Sequence, residues 1–449
     1  MSHTVLIENG LIVTMDDKKP IIGEGYVLVE DNLIKEVGEG NLRADADETI
    51  DASGHIVIPG IITAHTHLYG ILLRGANLRI RPPTDFAQVL QRVWWPVDEA
   101  LTVDDAYASA LSASAAMLRA GSTFFADTYS GPNSIEGSLS AIARAVREIG
   151  IRGMVAFEVT ERHDSEEARR GLEETERAAA ELKKYATVSL MVSVHASFTV
   201  SDELIEQAVS IASKLKVPLT IHVSEGLVDL YHNLERYGER TVERLDRLGA
   251  LGPRTVLAHC VHVNDTELDI IAERNASVAH NPMSNMLNGV GVAPVPEMIE
   301  RGITVGLGND GWIFDPFENM RTALTVHRLN KRNPSAMDEK TVLSMATIWG
   351  AACYGLSDLV GSITEGKLAD LTLIDAESLP TPVDEESVIG HLIHSIGGTD
   401  VSDVFVGGRR VIRAGQLATT EPGRVTRISR ERARHLWHRL QVSGDESGA

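Results

Sequence analysis

Cysteine is nearly absent, with only Cys260 and Cys353 in 449 residues. The two form no Cys-x-x-Cys pair, which excludes a disulfide framework and a thiolate zinc knuckle and fits a reducing compartment. Basic residues are the minority, 42 against 63 acidic, for a formal net charge of −21. No basic stripe is available to neutralise a phosphate backbone, so nucleic acid is not expected as a partner. Long apolar runs are missing too. No stretch reaches the roughly 18 to 20 apolar residues that a membrane span needs, and Glu8, Asn9, Asp16 and Asp17 interrupt the N-terminal segment in a way no signal peptide tolerates. Internal repeats and low-complexity linkers are also absent. These gaps predict a soluble, cytoplasmic protein with no membrane partner.

What is present divides the chain into three. Residues 4–58 hold short β-type runs, Val5-Leu6-Ile7, 25–29 and Leu33-Ile34, separated by the turns Asn9-Gly10 and Asp31-Asn32. They predict a small antiparallel unit. From residue 59 to about 358, apolar strands alternate with helical segments. Strands are expected at 61–64, 124–127, 153–158, 189–195, 219–223, 255–259, 277–280 and 303–308, with helices such as 104–120, 165–185 and 201–215 between them. Eight such units predict an α/β fold, a (β/α)8 TIM barrel. β character returns after residue 359, followed by an amphipathic helix at 429–440 and a tail after Val442 that reads as disordered. The two ends, 1–58 and 359–449, are therefore expected to build one small β-sandwich domain beside the barrel at 59–358.

Chemistry-bearing residues gather at the ends of those strands. His65-Thr66-His67 closes the first. Side chains two apart on a strand share a face, so both imidazoles can converge on one ion. His195 closes the fourth strand, His222 the fifth with Glu225 three residues on, His259 the sixth, and Asp310 follows the eighth. One polar residue at a strand end is ordinarily a helix cap or a solvated loop group. Five on the rim where barrel enzymes build their active sites point to a metal centre.

A mononuclear centre needs about four protein ligands and an open position for water. His65, His67, His222 and Asp310 are the expected ligands of one divalent ion, zinc in preference to iron(II). Such an ion lowers the pKa of bound water toward about 7. Asp310 would both bind the ion and accept the water's proton. Glu225 would shuttle a proton to a ring nitrogen and then to the departing amine, and His259 would orient the attacking oxygen. A binuclear centre bridged by a carbamylated lysine is excluded, because no lysine lies between Thr187 and Ser213. The cytidine-deaminase pattern of His-x-Glu with Pro-Cys-x-x-Cys is absent as well. Tyr69, His195, Trp312 and His280 are expected to face the substrate along with His259, and Trp312 is preferred over the Trp94-Trp95 pair for stacking on a flat ring.

At these residues the chain resembles the amidohydrolase superfamily, in the branch of cytosine-deaminase-like, triazine-hydrolase-like and S-adenosylhomocysteine-deaminase-like enzymes. The resemblance covers nearly the whole chain. It includes Pro59-Gly60 before His65-x-His67, Leu73-Arg74-Gly75, the run from Leu257 to His262, His280-Asn281-Pro282-Met283-Ser284-Asn285, and Gly366-Lys367-Leu368-Ala369-Asp370-Leu371. Val93-Trp94-Trp95-Pro96-Val97-Asp98, Glu158-Val159-Thr160-Glu161-Arg162 and the run His195 to Ser201 are most similar to the aminohydrolases of the SsnA group. The resemblance implies the barrel, the metal, the roles just given, and a homodimer.

Two details refine the expectation. The segment after Leu73-Arg74-Gly75 lacks the acidic residue that usually serves ribose hydroxyls, which disfavours nucleosides, and the presence of Glu225 favours deamination over dechlorination. The expected activity is a metal-dependent aminohydrolase that frees ammonia from a purine, pterin, pyrimidine or triazine-like ring. Hydrolysis of a cyclic amide or halogenated ring at the same centre is the alternative. A catalytically silent assembly protein is a third reading, disfavoured because such relatives lose ligands and this chain keeps them.

Overall fold

Strand His55–Pro59 runs through Gly60 directly into strand Ile61–Thr66, and the two strands belong to different sheets. Gly60 lies so close to Thr123 that a Cβ would stand 2.1 Å from its Oγ1, so only glycine fits this junction. The computed structural model describes residues 2–446, and side chains through Gln441.

Beyond the junction, parallel strands follow one another around a barrel. They are Ile61–Thr66, Ser122–Tyr129, Arg152–Val159, Val192–Ala196, Leu219–Val223, Thr255–His259, Ser277–His280 and Val305–Leu307. A short piece, Val188–Leu190, extends the pairing beside the third strand. The first and eighth strands meet through a parallel bridge between Thr66 and Asp310, and the amides of Asn309 and Asp310 donate to the His65 carbonyl at 2.9 and 3.2 Å. This is the expected (β/α)8 barrel. Its strands are buried along both faces, which is why they read as unbroken apolar runs rather than alternating ones.

Helices cover the outside. Val103–Arg119 starts with a capping box between Thr102 and Asp105 and turns Ala106, Ala110, Ala113 and Met117 inward. Ser165–Leu182 and Asp202–Leu215 start on the side-chain caps Asp164 and Ser201. Each cap satisfies amides that the first helical turn leaves open.

The second sheet draws on both chain ends. Its order is Gln416–Leu417, Arg409–Arg413, Val401–Val406, Leu371–Asp375, His55–Pro59, Thr4–Val13, Ile21–Glu30 and Leu33–Glu39. The N-terminal part is mixed rather than antiparallel. Thr4–Val13 pairs antiparallel with Ile21–Glu30 but parallel with Glu48–Asp51 and His55–Pro59. The reason is the segment 40–47, which carries the chain back across the sheet so that the following strands run in the original direction. His55–Pro59 then pairs antiparallel with Leu371–Asp375 and so ties the two ends together. Val5, Ile7, Val27, Val57, Leu371 and Phe405 give this sheet a core of its own.

The last helix, Arg424–Glu446, is longer than the expected 429–440 and occupies part of the tail read as disordered; residues 447–449 lie outside the described ones. Among the described residues no helix is long and apolar enough to cross a membrane.

Candidate metal centre and substrate cavity

His65 and His67 leave the end of the first barrel strand, His222 the fifth and His259 the sixth, while Asp310 follows the eighth. Two of these residues have left-handed backbone, His259 with φ 74° and Asp310 with φ 55°. Non-glycine residues rarely adopt it, and such strain collects at functional sites because the surrounding structure must enforce it. Here the neighbouring strands do so: the Cys260 amide donates to the Val223 carbonyl at 2.9 Å, and the Asp310 amide is held by His65.

The imidazoles converge through one kind of nitrogen. Nε2 of His67 lies 3.2 Å from Nε2 of His222 and 3.1 Å from Oδ1 of Asp310, and Nε2 of His65 lies 3.8 Å from that same oxygen. Two possible ligand groups, His65–His67–His222 and His65–His259–Asp310, share His65, each with its atoms within 4.8 Å of one another. The other nitrogens are spoken for. Nδ1 of His67 donates to the Thr128 carbonyl and Nδ1 of His222 to the His195 carbonyl, both at 2.8 Å, and Nδ1 of His259 meets Asn285 Oδ1 at 2.7 Å. A carbonyl oxygen only accepts, so the proton sits on Nδ1 and a neutral ring turns its Nε2 lone pair inward, the arrangement second-sphere partners impose on metal-binding histidines.

Electrostatics make the same demand. Burial works against the charge of Asp310, but the hydrogen bond and charge of His67, with His259 and His65 behind it, hold its carboxyl well below the usual carboxylate range. Burial likewise opposes a charge on His67, and Asp310 nevertheless raises it above the ordinary histidine value. Nε2 of His65 and of His259 are buried with no hydrogen-bond partner among the described residues. The centre thus calls for positive charge between inward lone pairs and a carboxylate, and this donor set fits a divalent metal ion.

Glu225 sits beside it. Its Oε2 is 3.5 Å from Nε2 of His259, and its Oε1 accepts from Nδ2 of Asn288 at 3.3 Å. Burial first, then the charge of Asp310, pushes its carboxyl above the usual range, so it retains a proton more readily than a solvated glutamate. The loop that presents it is clamped: the Ser224 amide, at φ 46°, donates to Oδ2 of Asp229 at 2.6 Å, and Oδ1 of Asp229 accepts from Ser197 Oγ at 2.6 Å. Ser284 donates to Oδ2 of Asp310, leaving Oδ1 toward the centre.

A cavity opens over this cluster. His67, His222, Asp310 and Glu225 form its base, and Phe86, Leu90, Trp94 and Phe198 supply apolar walls. Of the residues expected to face substrate, Tyr69 and His195 line the cavity, while His259 is fully buried beneath Glu225. Two do not reach the wall. His280 is fully buried with its Nε2 3.0 Å from Nε2 of His327, and Trp312 packs edge-on to Trp94 with ring centroids 5.4 Å apart. The preference between tryptophans is therefore reversed: the helical segment 86–100 swings Trp94 and Trp95 over the rim and leaves Trp312 behind Trp94.

The cavity also contains Asp98 and Glu158, which sequence reasoning passed over. Glu158 carried the signal used for the others, a polar residue closing an apolar strand. Asp98 carried none, since it rides on the short helix Trp95–Ala100 far from any barrel strand end. Together they place two acidic groups on the cavity wall.

Residues 56–411 match the amidohydrolase family. Over 421 residues the chain is 35% identical to the 5'-deoxyadenosine deaminase of Methanothermobacter thermautotrophicus, covering 92% of this chain and 95% of that one. It is 34% identical over 439 residues to the 5-methylthioadenosine/S-adenosylhomocysteine deaminase of Syntrophobacter fumaroxidans, covering 96% and 97%. The crystal structure of an adenosine deaminase from Xanthomonas campestris with bound zinc has a TM-score of 0.87 to this chain at 25% identity, over 98% of each.

Proposed function

The chain belongs to the amidohydrolase family and is a metal-dependent aminohydrolase, and from that premise we propose that it releases ammonia from an amino-substituted purine of the adenosine-analogue type. The observation that carries this reading is the convergence of three histidine Nε2 atoms and one carboxylate at the base of a cavity, beside a buried glutamate that readily holds a proton. The printed activities of the relatives supply the substrate class.

A single zinc ion is the proposed cofactor, held by His65, His67, His222 and Asp310; when bound it supplies the Lewis acidity that activates water. Hydrolytic deamination places the water oxygen on the ring carbon and breaks the C–N bond. One water proton ends on the ring nitrogen and the other on the departing ammonia. Asp310, with Oδ2 engaged by Ser284, accepts a proton from water at Oδ1. Glu225 gives the proton it holds to the ring nitrogen, then takes the remaining proton of the added hydroxyl and passes it to the leaving amine, and the proton taken up by Asp310 restores its carboxyl. His259, with Nδ1 fixed by Asn285, orients the attacking oxygen with Nε2. Tyr69 and His195 position the ring between apolar walls.

The test is ammonia release by the zinc-reconstituted protein from adenosine, 5'-deoxyadenosine, adenine and guanine. Turnover of a purine is expected. Silence across the panel with one zinc bound per chain overturns the reading.

Assembly as a homodimer is also proposed. Helix Leu227–Tyr237 exposes Leu227, Tyr231 and Leu234, spaced along one face, as an interface would require. Sedimentation of a monomer at micromolar concentration would refute it.

A further inference from the structure

Helix Arg424–Glu446 carries six arginines between residues 424 and 439, and they divide by face. Three of them pair with carboxylates of the barrel, Arg424 with Glu148 and both Arg432 and Arg439 with Asp105. Arg430 and Arg434 do not. Four residues apart, and so on one side of the helix, they line a groove where it lies across helix Val103–Arg119 and the turn Leu68–Leu73. Arg119, at the end of the first of these elements, and Arg74, just past the second, line the same groove.

The polar lining is made of donors. It consists of these four guanidiniums and the hydroxyls of Ser112, Thr426 and Ser429, with no carboxylate, amide or imidazole. Among the described residues, Arg119, Arg430, Arg434 and the three hydroxyls have neither an ion pair nor a side-chain hydrogen bond. Arg74 alone is engaged: its Nη2 donates to the Trp312 carbonyl at 3.1 Å, and its guanidinium lies 5.1 Å from the centre of the Phe314 ring. A shortage of acids does not explain this in a chain with 63 acidic and 42 basic residues. Like charges gathered without a counter-charge repel one another. Arg74 and Arg119 keep contact with solvent, yet burial of part of each side chain works against its charge, opposed at Arg74 by Glu318 and at Arg119 by no carboxylate.

The rest of the lining is apolar: Ile71, Leu72, Ala116, Val425, Ala433 and Trp437. Trp437 is held there by the bond from its Nε1 to the Leu72 carbonyl at 2.8 Å. The groove measures about 670 Å³ and shares no residue with the cavity over the metal centre. That volume is in the range of small-molecule sites.

We propose that this groove is a second binding site, for a phosphorylated small molecule whose phosphate the arginines receive and whose organic part lies on the apolar lining. The proposal goes beyond the aminohydrolase reaction and does not depend on it. Guanidinium forks match phosphate oxygens in pairs, and a phosphate ester, with three acceptor oxygens and close to two charges, engages more of these donors than a lone carboxylate. The net charge of −21 works against a nucleic acid as the source of the phosphate.

Calorimetry on the zinc-loaded protein at constant ionic strength tests this with three probes: phenyl phosphate, benzoate, which keeps the ring but has one charge, and inorganic phosphate, which lacks the ring. One phenyl phosphate is expected to bind per chain, about tenfold or more tighter than either comparison probe. In the double variant Arg430→Gln, Arg434→Gln its affinity should fall by about a hundredfold, as lost hydrogen bonds to a charged group require. Both side chains are exposed and unpaired, so zinc content and melting temperature should match the wild type. No saturable binding of phenyl phosphate to the wild type overturns the proposal without any variant. Undiminished affinity in the double variant would place the probe elsewhere, the metal centre included, and overturn it as well. Benzoate binding equally tightly would overturn the assignment to phosphate, and inorganic phosphate doing so would overturn the assignment to an organic ester. If phenyl phosphate instead splits a dimer during the titration, the groove is a subunit contact and the proposal fails.

Discussion

His65 and His67 are two residues apart, but each needs a different partner to become a ligand. His67 borrows the Thr128 carbonyl from the second strand to fix its proton, and it faces Asp310 from beyond the eighth. Replacing His67 with alanine removes one inward-facing nitrogen from beside the Asp310 carboxylate. The His67→Ala protein should purify with little metal, as read by elemental analysis; full occupancy would refute its assignment as a ligand. Ser284 acts one step further out through Oδ2 of Asp310. Ser284→Ala should weaken metal affinity by about tenfold to a hundredfold, the usual effect of losing an outer-shell hydrogen bond, measured by competition with a chelator. Glu225→Gln should keep the metal and lower kcat by about a hundredfold to ten-thousandfold, the span of general acid–base catalysis. Unchanged turnover in that variant would remove Glu225 from the proton path.

At the scale of elements, the His280–His327 pair shows how a strand and a helix are fastened behind the centre. Strand Ser277–His280 and helix Pro316–Lys331 meet with the two Nε2 atoms 3.0 Å apart, an arrangement that needs one donor and one acceptor, and burial favours the neutral form of both rings. Burial depresses His327 from 6.5 to about 4, with Glu297 opposing and Lys331 adding to the shift. The folded state therefore binds this proton more weakly than the unfolded chain does. The contribution is fully present above pH about 6.5, fades as pH falls toward about 4, and amounts to roughly 3 kcal/mol. His327→Gln keeps a hydrogen-bonding side chain but does not titrate. Its melting temperature should fall less than that of the wild type between pH 7.5 and pH 5, and equal falls would show that the pair is not responsible. The same pairing explains why His280 is absent from the cavity wall.

For the whole molecule, the decisive connections join distant parts of the chain. The last helix docks on the barrel through Trp437, whose Nε1 donates to the Leu72 carbonyl at 2.8 Å, next to the loop that follows His67. Arg432 and Arg439 both donate to the fully buried carboxylate of Asp105, the residue that closes the capping box of helix Val103–Arg119. Replacing both arginines with alanine leaves a buried carboxylate that, among the described residues, only Thr102 still bonds. The double variant should lose about 3 to 5 kcal/mol in denaturant unfolding, the usual cost of stripping a buried ion pair of one partner. A loss within about 0.5 kcal/mol, typical of surface substitutions, would show that the helix is dispensable.

The sequence by itself determined the barrel, because buried parallel strands are written as short apolar runs and their chain order is their spatial order. It also determined the inner centre, because His65, His67, His222, His259 and Asp310 each sit at the end of such a run, where the fold forces them onto one rim. It did not determine the cavity wall. Asp98, Trp94 and Trp95 come from a helical segment whose placement over the rim depends on packing, and Glu158, although it closes an apolar strand as the others do, is seen to line the cavity only in the assembled structure. Nor could periodicity reveal that His280 is absorbed by His327, or that residues 40–47 return the chain to make the end sheet mixed. Local pattern fixes which face of an element is buried, but only the assembled structure decides which residues from separate elements meet across a gap and which polar atoms there are left without a partner.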